Sequence, residues 1–323
     1  MSAVYATTEG RGAFVRMDFN EGPPPPADLL TLDLSACLSM YPEYGALKLA
    51  AARAWGVAPE RVVPVNGADE GIFLLLRALG AGGMVLPVPA FTMYHIYAEQ
   101  LGLPVAAVPM DANFDLDLPG TLAAPGGLVA LTSPNNPTGR AIPPQILARV
   151  LEQGRPVLLD ETYGPYCGQD SAPLLETWPN LVLLRTLSKA YGVPGLRCGF
   201  ILAAPDLAAK LDGLRSPFNV NAAAAALGAK LLAEDTGFPL RVRAAVAARR
   251  ELQARLELAG YRTVPSDAHF FLADLGPGAA ERLREQGILI KDQASIRPGL
   301  CRISVATAAD ALRFEQAFFG GLA

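Results

Sequence analysis

At 323 residues, 51% hydrophobic and 18% charged, the chain has the balance of an ordinary globular protein with room for two modest domains. A net charge of -4 with no basic block gives no electrostatic footprint for nucleic acid or an anionic membrane, so small solutes are the expected partners. Residues 1–16 lack the apolar core of a signal peptide and the runs 73–79 and 222–226 are too short to span a bilayer, so a cytoplasmic location is expected.

An N-terminal arm is expected over 1–27, closed by Gly22-Pro23-Pro24-Pro25-Pro26, a stiff extended piece that neither continues a helix nor pairs in a central strand. A large domain follows over 28–220. In it the apolar runs 62–65, 84–86, 105–108, 128–131, 157–159, 181–184 and 200–202 alternate with helical patterns. That rhythm predicts an α/β fold with a largely parallel sheet, covered by helices on both faces and carrying function at its carboxyl ends. Over 221–323, long helices at 222–233 and 240–259 precede strand-like pieces at 270–273, 288–290 and 301–305, a smaller α+β domain. Cys37, Cys167, Cys198 and Cys301 form no CxxC pair and are each expected to be a buried small hydrophobe, with no metal site and no disulfide frame.

Only five lysines stand among the 27 basic residues, so the setting of each is informative. Lys189 lies in Arg185-Thr186-Leu187-Ser188-Lys189-Ala190-Tyr191-Gly192, just after an expected strand. A lysine that condenses with an aldehyde must be held by a rigid element and partly desolvated, and the end of a buried strand supplies both. Thr186 and Ser188 offer hydroxyls to an anion, and Arg197 offers a bidentate fork. Asp160, in Asp160-Glu161-Thr162-Tyr163, ends an apolar strand and reads as a cap or turn residue. In a cofactor reading it keeps a pyridine nitrogen protonated, with Tyr163 on the ring hydroxyl and Glu161 structural. Ser133-Pro134-Asn135-Asn136-Pro137-Thr138-Gly139 is a loop by its turn chemistry, and Asn136 is its donor to a ring oxygen. Asn66-Gly67-Ala68-Asp69-Glu70 leads into an apolar helix whose first N–H groups would place a phosphate against Gly67, Ala68 and Asp69.

With Tyr41-Pro42-Glu43, the 91–94 segment, Gly195-Leu196-Arg197, residues 287–293 and Cys301-Arg302-Ile303-Ser304-Val305, these motifs resemble the fold-type-I aminotransferases. More closely, they resemble the histidinol-phosphate aminotransferase family, in order and spacing from about Asp18 onward. The resemblance implies a fold-type-I pyridoxal 5'-phosphate transferase in which Lys189 links to the cofactor and moves a proton at the substrate α-carbon. It implies Asp160 on the ring nitrogen, Asn136 and Tyr163 on the ring oxygen, and Tyr94 stacked on the ring. The phosphate would be held by Ala68, Asp69, Ser188, Arg197 and the partner subunit's Tyr41, hence a homodimer with shared active sites. Arg302 would take the α-carboxylate of glutamate or 2-oxoglutarate, with Asn20 and Lys291 also on the substrate side.

Lys291 stands where the family usually has an arginine associated with the phosphate of histidinol phosphate, and a lysine binds phosphate without the planar fork. Asn20-Glu21-Gly22 and four prolines replace the family's Asn-Glu-Asn-Pro followed by an aromatic residue, so a remodelled substrate side is expected. His95 and His269 are expected to be structural or pocket-lining, and Phe270 and Phe271 to be core. The expected reaction is histidinol phosphate plus 2-oxoglutarate to imidazole acetol phosphate plus glutamate. An aromatic amino acid aminotransferase and a decarboxylase of a phosphorylated amino acid are the alternatives within the fold. A non-catalytic cofactor-binding regulator is the reading from another class, disfavoured because residues 1–27 leave no room for a DNA-binding module.

Overall fold

A computed structural model describes residues 9–320. Its strands in chain order are β1 (Val15–Met17), β2 (Val62–Val65), β3 (Met84–Val88), β4 (Val105–Pro109), β5 (Leu128–Thr132), β6 (Val157–Asp160), β7 (Leu181–Thr186), β8 (Gly199–Leu202), β9 (Phe270–Asp274), β10 (Ile288–Asp292) and β11 (Leu300–Ser304). β2 to β8 form a seven-stranded sheet in the order β2-β8-β7-β6-β5-β3-β4. Only β8 runs against its neighbours, pairing antiparallel with both β2 and β7.

The strands lack polar alternation because both faces are buried. Val129, Leu131, Leu159 and Leu183 enter one apolar cluster with Leu47 and Val150 from the helices Gly45–Trp55 and Pro144–Leu151. Leu128, Ala130, Leu158 and Leu184 enter the opposite cluster with Leu75 and Leu211 from the helices Gly67–Leu79 and Pro205–Leu214. Successive strand residues point to opposite faces, so one continuous apolar run supplies two cores.

The second sheet has the order β1-β10-β11-β9, with β1 parallel to β10 and the other pairs antiparallel. Met17, Phe271, Ile303 and Phe314 form its core with Leu252 of the helix Phe238–Leu258. Two features differ from the sequence reading. The arm contributes β1, a three-residue strand too short to leave a periodic signal. The helix Ala222–Glu234, expected in the C-terminal domain, packs through Ala225 into the core of the large sheet. Its alanine-rich sequence fits a close helix pair but does not specify which neighbour it meets.

Cys198 and Cys301 are buried as expected, whereas Cys167 is exposed and Cys37 only partly covered. Cys167 ends a single helical turn, Gly164–Cys167, capped by left-handed Gly168, and its thiol donates back to the Gly164 carbonyl at 3.3 Å. Among the described residues no helix is long and apolar enough to cross a membrane.

Candidate active site

The carboxyl ends of β5, β6 and β7 open into a cleft of about 590 Å³. Thr132, Asp160 and Thr186 are the last residues of those strands and all three line it. The loop after β7 brings Ser188 and Lys189 to the wall, and the loop after β5 brings Asn136. From the second sheet come Lys291 of β10 and Arg302 of β11. These two are directly opposed in an antiparallel ladder, so their side chains leave the same face side by side.

Lys189 donates from Nζ to the carbonyl of Phe19 at 2.7 Å. Burial, then the Arg302 guanidinium, hold its amine down to about 8. Asp160 is 4% exposed; its Oδ1 accepts the Thr162 N–H at 2.9 Å and its Oδ2 the Tyr94 hydroxyl at 3.1 Å. Burial pushes this carboxyl above the usual carboxylate range, and the bonds from Thr162 and Tyr94 oppose the shift. Tyr163 is buried and its hydroxyl accepts from Asn20 Nδ2 at 3.0 Å.

Arg302 is buried and donates to Asn136 Oδ1 and to the carbonyl of Asp18. Asn20 holds a left-handed φ of 54° while Ser304 donates to its Oδ1 at 2.6 Å. Asparagine enters this region more readily than most side chains, and here the Ser304 bond fixes it. Gly22 follows because a Cβ there would strike the Lys189 carbonyl, so the arm lies directly on the lysine loop.

A polar cluster stands at the start of the helix Gly67–Leu79. Arg197, itself left-handed at φ 56°, donates to Asp69 Oδ2 at 2.9 Å and to Ser188 Oγ at 3.3 Å. Thr186 donates to Ser188 Oγ at 2.9 Å. A Cβ on Gly67 would strike the Arg197 guanidinium, so glycine is what lets the arginine close over the helix start. Ala68 and Asp69 line the cleft beside it.

One expectation is corrected. Tyr94 does not stack in the cleft: it is 0% exposed in the apolar cluster beneath, and Phe91 lines the wall instead. The helix Met93–Gln100 begins between the two residues, which turns Tyr94 inward and leaves Phe91 on the preceding loop. His269 is structural, fully buried against Tyr166 at 4.1 Å between ring centroids, and His95 is exposed outside the cleft. Phe270 and Phe271 are core. Glu161 is structural, paired with Arg185 at 2.5 Å. Tyr41 lies away from this chain's cleft, 76% exposed and stacked on Phe218.

Sequence reasoning missed Arg11, Phe19, Glu21 and Gln293, which all line the cleft. Arg11 lies 4.1 Å from the Phe19 ring centroid and bonds Asp18 and Glu21. The parallel pairing of β1 with β10 brings them there, and no local motif encodes it.

A reactive amine, a buried carboxylate and an anion cradle around one cleft at the strand ends define the class: an α/β enzyme built to hold a phosphorylated aldehyde cofactor. The family model described as aminotransferase class I and II matches residues 38–315. The chain is 38% identical over 258 residues to a histidinol-phosphate aminotransferase of Thermococcus gammatolerans, covering 78% of this chain and 73% of that protein. It is 37% identical to one of Escherichia coli, covering 81% and 80%. A crystal structure of histidinol-phosphate aminotransferase from Sinorhizobium meliloti in complex with pyridoxal-5'-phosphate superposes at a TM-score of 0.87 and 24% identity, covering 100% of this chain and 96% of that one. The chain belongs to the class I and II aminotransferases, and its cofactor is pyridoxal 5'-phosphate.

Proposed function

We propose that the protein transfers the amino group of histidinol phosphate to 2-oxoglutarate, as a homodimer, in the cytoplasm. The observation that carries the substrate is the opposed pair Lys291 and Arg302 on one face of the β10–β11 ladder. Histidinol phosphate bears a phosphate ester where an amino acid bears its carboxylate, and two adjacent cations suit a dianion better than one does. The relatives named above carry the same substrate in their names.

The residues present fit the cofactor. Asp160 would face the ring nitrogen, Asn136 and Tyr163 the ring oxygen, and Phe91 the ring face. Thr186, Ser188, Arg197 and the N–H groups of Gly67, Ala68 and Asp69 would hold the phosphate. When bound, pyridoxal phosphate supplies an aldehyde carbon for the amino group and a ring that accepts electrons. Lys189 does the rest of the chemistry in this chain. Its amine, held down to about 8, keeps a larger neutral fraction near neutral pH than an ordinary lysine and would carry a proton at the α-carbon of the substrate. Arg302 would orient the second substrate through its carboxylate, and the arm over Lys189 would exclude water.

The dimer reading rests on exposed apolar residues that gather outside this chain's own cleft. Leu34, Leu38, Met40 and Tyr41 are exposed around the short helix Leu34–Ser39, next to Phe218. The partner's Tyr41 would reach the cofactor phosphate.

The test is a half reaction. Holoenzyme mixed with histidinol phosphate alone should lose its yellow colour as the amino group moves to the cofactor, and 2-oxoglutarate should restore it. Faster bleaching by unphosphorylated aromatic amino acids would replace the proposal with an aromatic aminotransferase. Carbon dioxide release from threonine phosphate would replace it with a decarboxylase.

A further inference from the structure

The hydroxyl of Tyr94 has no packing role. The ring fills its place in the cluster with Leu86, Ala130 and Leu158, and a phenylalanine would fill that place as well. A buried tyrosine hydroxyl requires polar partners, and here it donates to Asp160 Oδ2 at 3.1 Å with the Thr132 side chain beside it. Asp160 lines the cleft and Tyr94 does not, so the carboxylate stands between the buried hydroxyl and the cleft. Its other oxygen is fixed by the Thr162 N–H at 2.9 Å. The Thr162 side chain also bonds the carboxyl. An ionised carboxylate has about four lone-pair directions, so these three donors leave one open toward the cleft.

We propose that Tyr94 is a positioning residue whose hydroxyl holds Asp160 Oδ2, so that the carboxylate presents its remaining lone pair to a protonated ring nitrogen in the cleft. The inference rests on the reading of Asp160 given above. Donors from two separate elements, the helix Met93–Gln100 and the loop after β6, stop the carboxylate rotating about its terminal torsion, which is otherwise soft. They also favour the charged form at a site where burial opposes it. Without the hydroxyl, Oδ2 loses the donor that fixes it and the partner of the ring nitrogen is weakened. Tyr94 therefore acts on the cofactor through Asp160 and touches neither cofactor nor substrate.

The test uses Tyr94→Phe holoenzyme and two ligands: pyridoxal phosphate, and an analogue with C–H in place of the ring nitrogen. Tyr94→Phe should release pyridoxal phosphate about tenfold more readily than wild type, as expected for one lost hydrogen bond to a charged group. It should bind the analogue within about twofold of wild type, because the analogue has no ring N–H for Asp160 to hold. A structural defect would loosen both ligands equally and lower the melting temperature of the cofactor-free protein. Equal loosening of the two, or loosening of neither, overturns the proposal. Asp160→Asn, measured beside it, separates the two levels. If Asp160→Asn discriminates between the ligands as wild type does, the reading of Asp160 fails and the Tyr94 inference falls with it. If Asp160→Asn loses that discrimination while Tyr94→Phe keeps it, the Tyr94 inference alone is wrong.

Discussion

Replacing Lys291 by alanine should separate the two substrates. Lys291 and Arg302 are cross-strand partners, with Cβ atoms about 5 Å apart by the geometry of such pairs. Among the described residues Lys291 forms no ion pair; its Nζ stands 6.0 Å from the Phe19 ring centroid, so its charge is available to a ligand. A phosphate placed where an amino acid carries its carboxylate reaches both cations, whereas a carboxylate is satisfied by Arg302. Loss of one charge-assisted contact to the dianion costs about 1.5–3 kcal/mol, roughly tenfold to a hundredfold in kcat/KM for histidinol phosphate. The value for glutamate should stay within about threefold. Arg302→Ala should depress both, and Lys291→Arg should keep or improve the phosphorylated substrate. The assay is steady-state transamination with each amino donor in turn. Equal losses for histidinol phosphate and glutamate in Lys291→Ala, or no loss in either, would refute the assignment of Lys291 to the substrate phosphate.

Three further outcomes are expected. Lys189 is held down to about 8, so in the cofactor-free protein the unreactive ammonium dominates below that pH and the neutral amine above it. The rate of covalent cofactor attachment should rise with pH and level off just above 8; a rise continuing beyond the ordinary lysine value of 10.5 would contradict this. Glu161→Ala leaves Arg185 buried with only the exposed Asp170 as partner, and should cost about 3–5 kcal/mol in stability while the yellow chromophore survives. An unchanged thermal midpoint would refute that role. Tyr41→Phe should loosen the cofactor, and a wild-type monomer in sedimentation that keeps full activity on dilution would remove the shared-site dimer.

Much of this was legible in the sequence. The strands of the large sheet announce themselves as apolar runs because both faces are buried, and the cleft opens where those runs end, at Thr132, Asp160 and Thr186. What was not legible depends on long-range pairing. β1 has three residues, and only its parallel partner β10 explains why Arg11, Phe19 and Glu21 reach the cleft. Tyr94 and Phe91 are three residues apart, so the motif that contains both does not say which one faces outward. The helix start at Met93 decides it. The alanine-rich helix Ala222–Glu234 suits either neighbour by composition, and tertiary packing assigns it to the large sheet.

The central claim is that Lys189 holds the cofactor at the end of β7. The direct measurement is borohydride reduction of the yellow holoenzyme followed by proteolysis and mass spectrometry of the labelled peptide. The account predicts that reduction bleaches the chromophore and leaves a single phosphopyridoxyl adduct on Lys189, absent in Lys189→Ala. An adduct on Lys48, Lys210, Lys230 or Lys291 in place of Lys189, or reduction that fixes nothing to the chain, would contradict it.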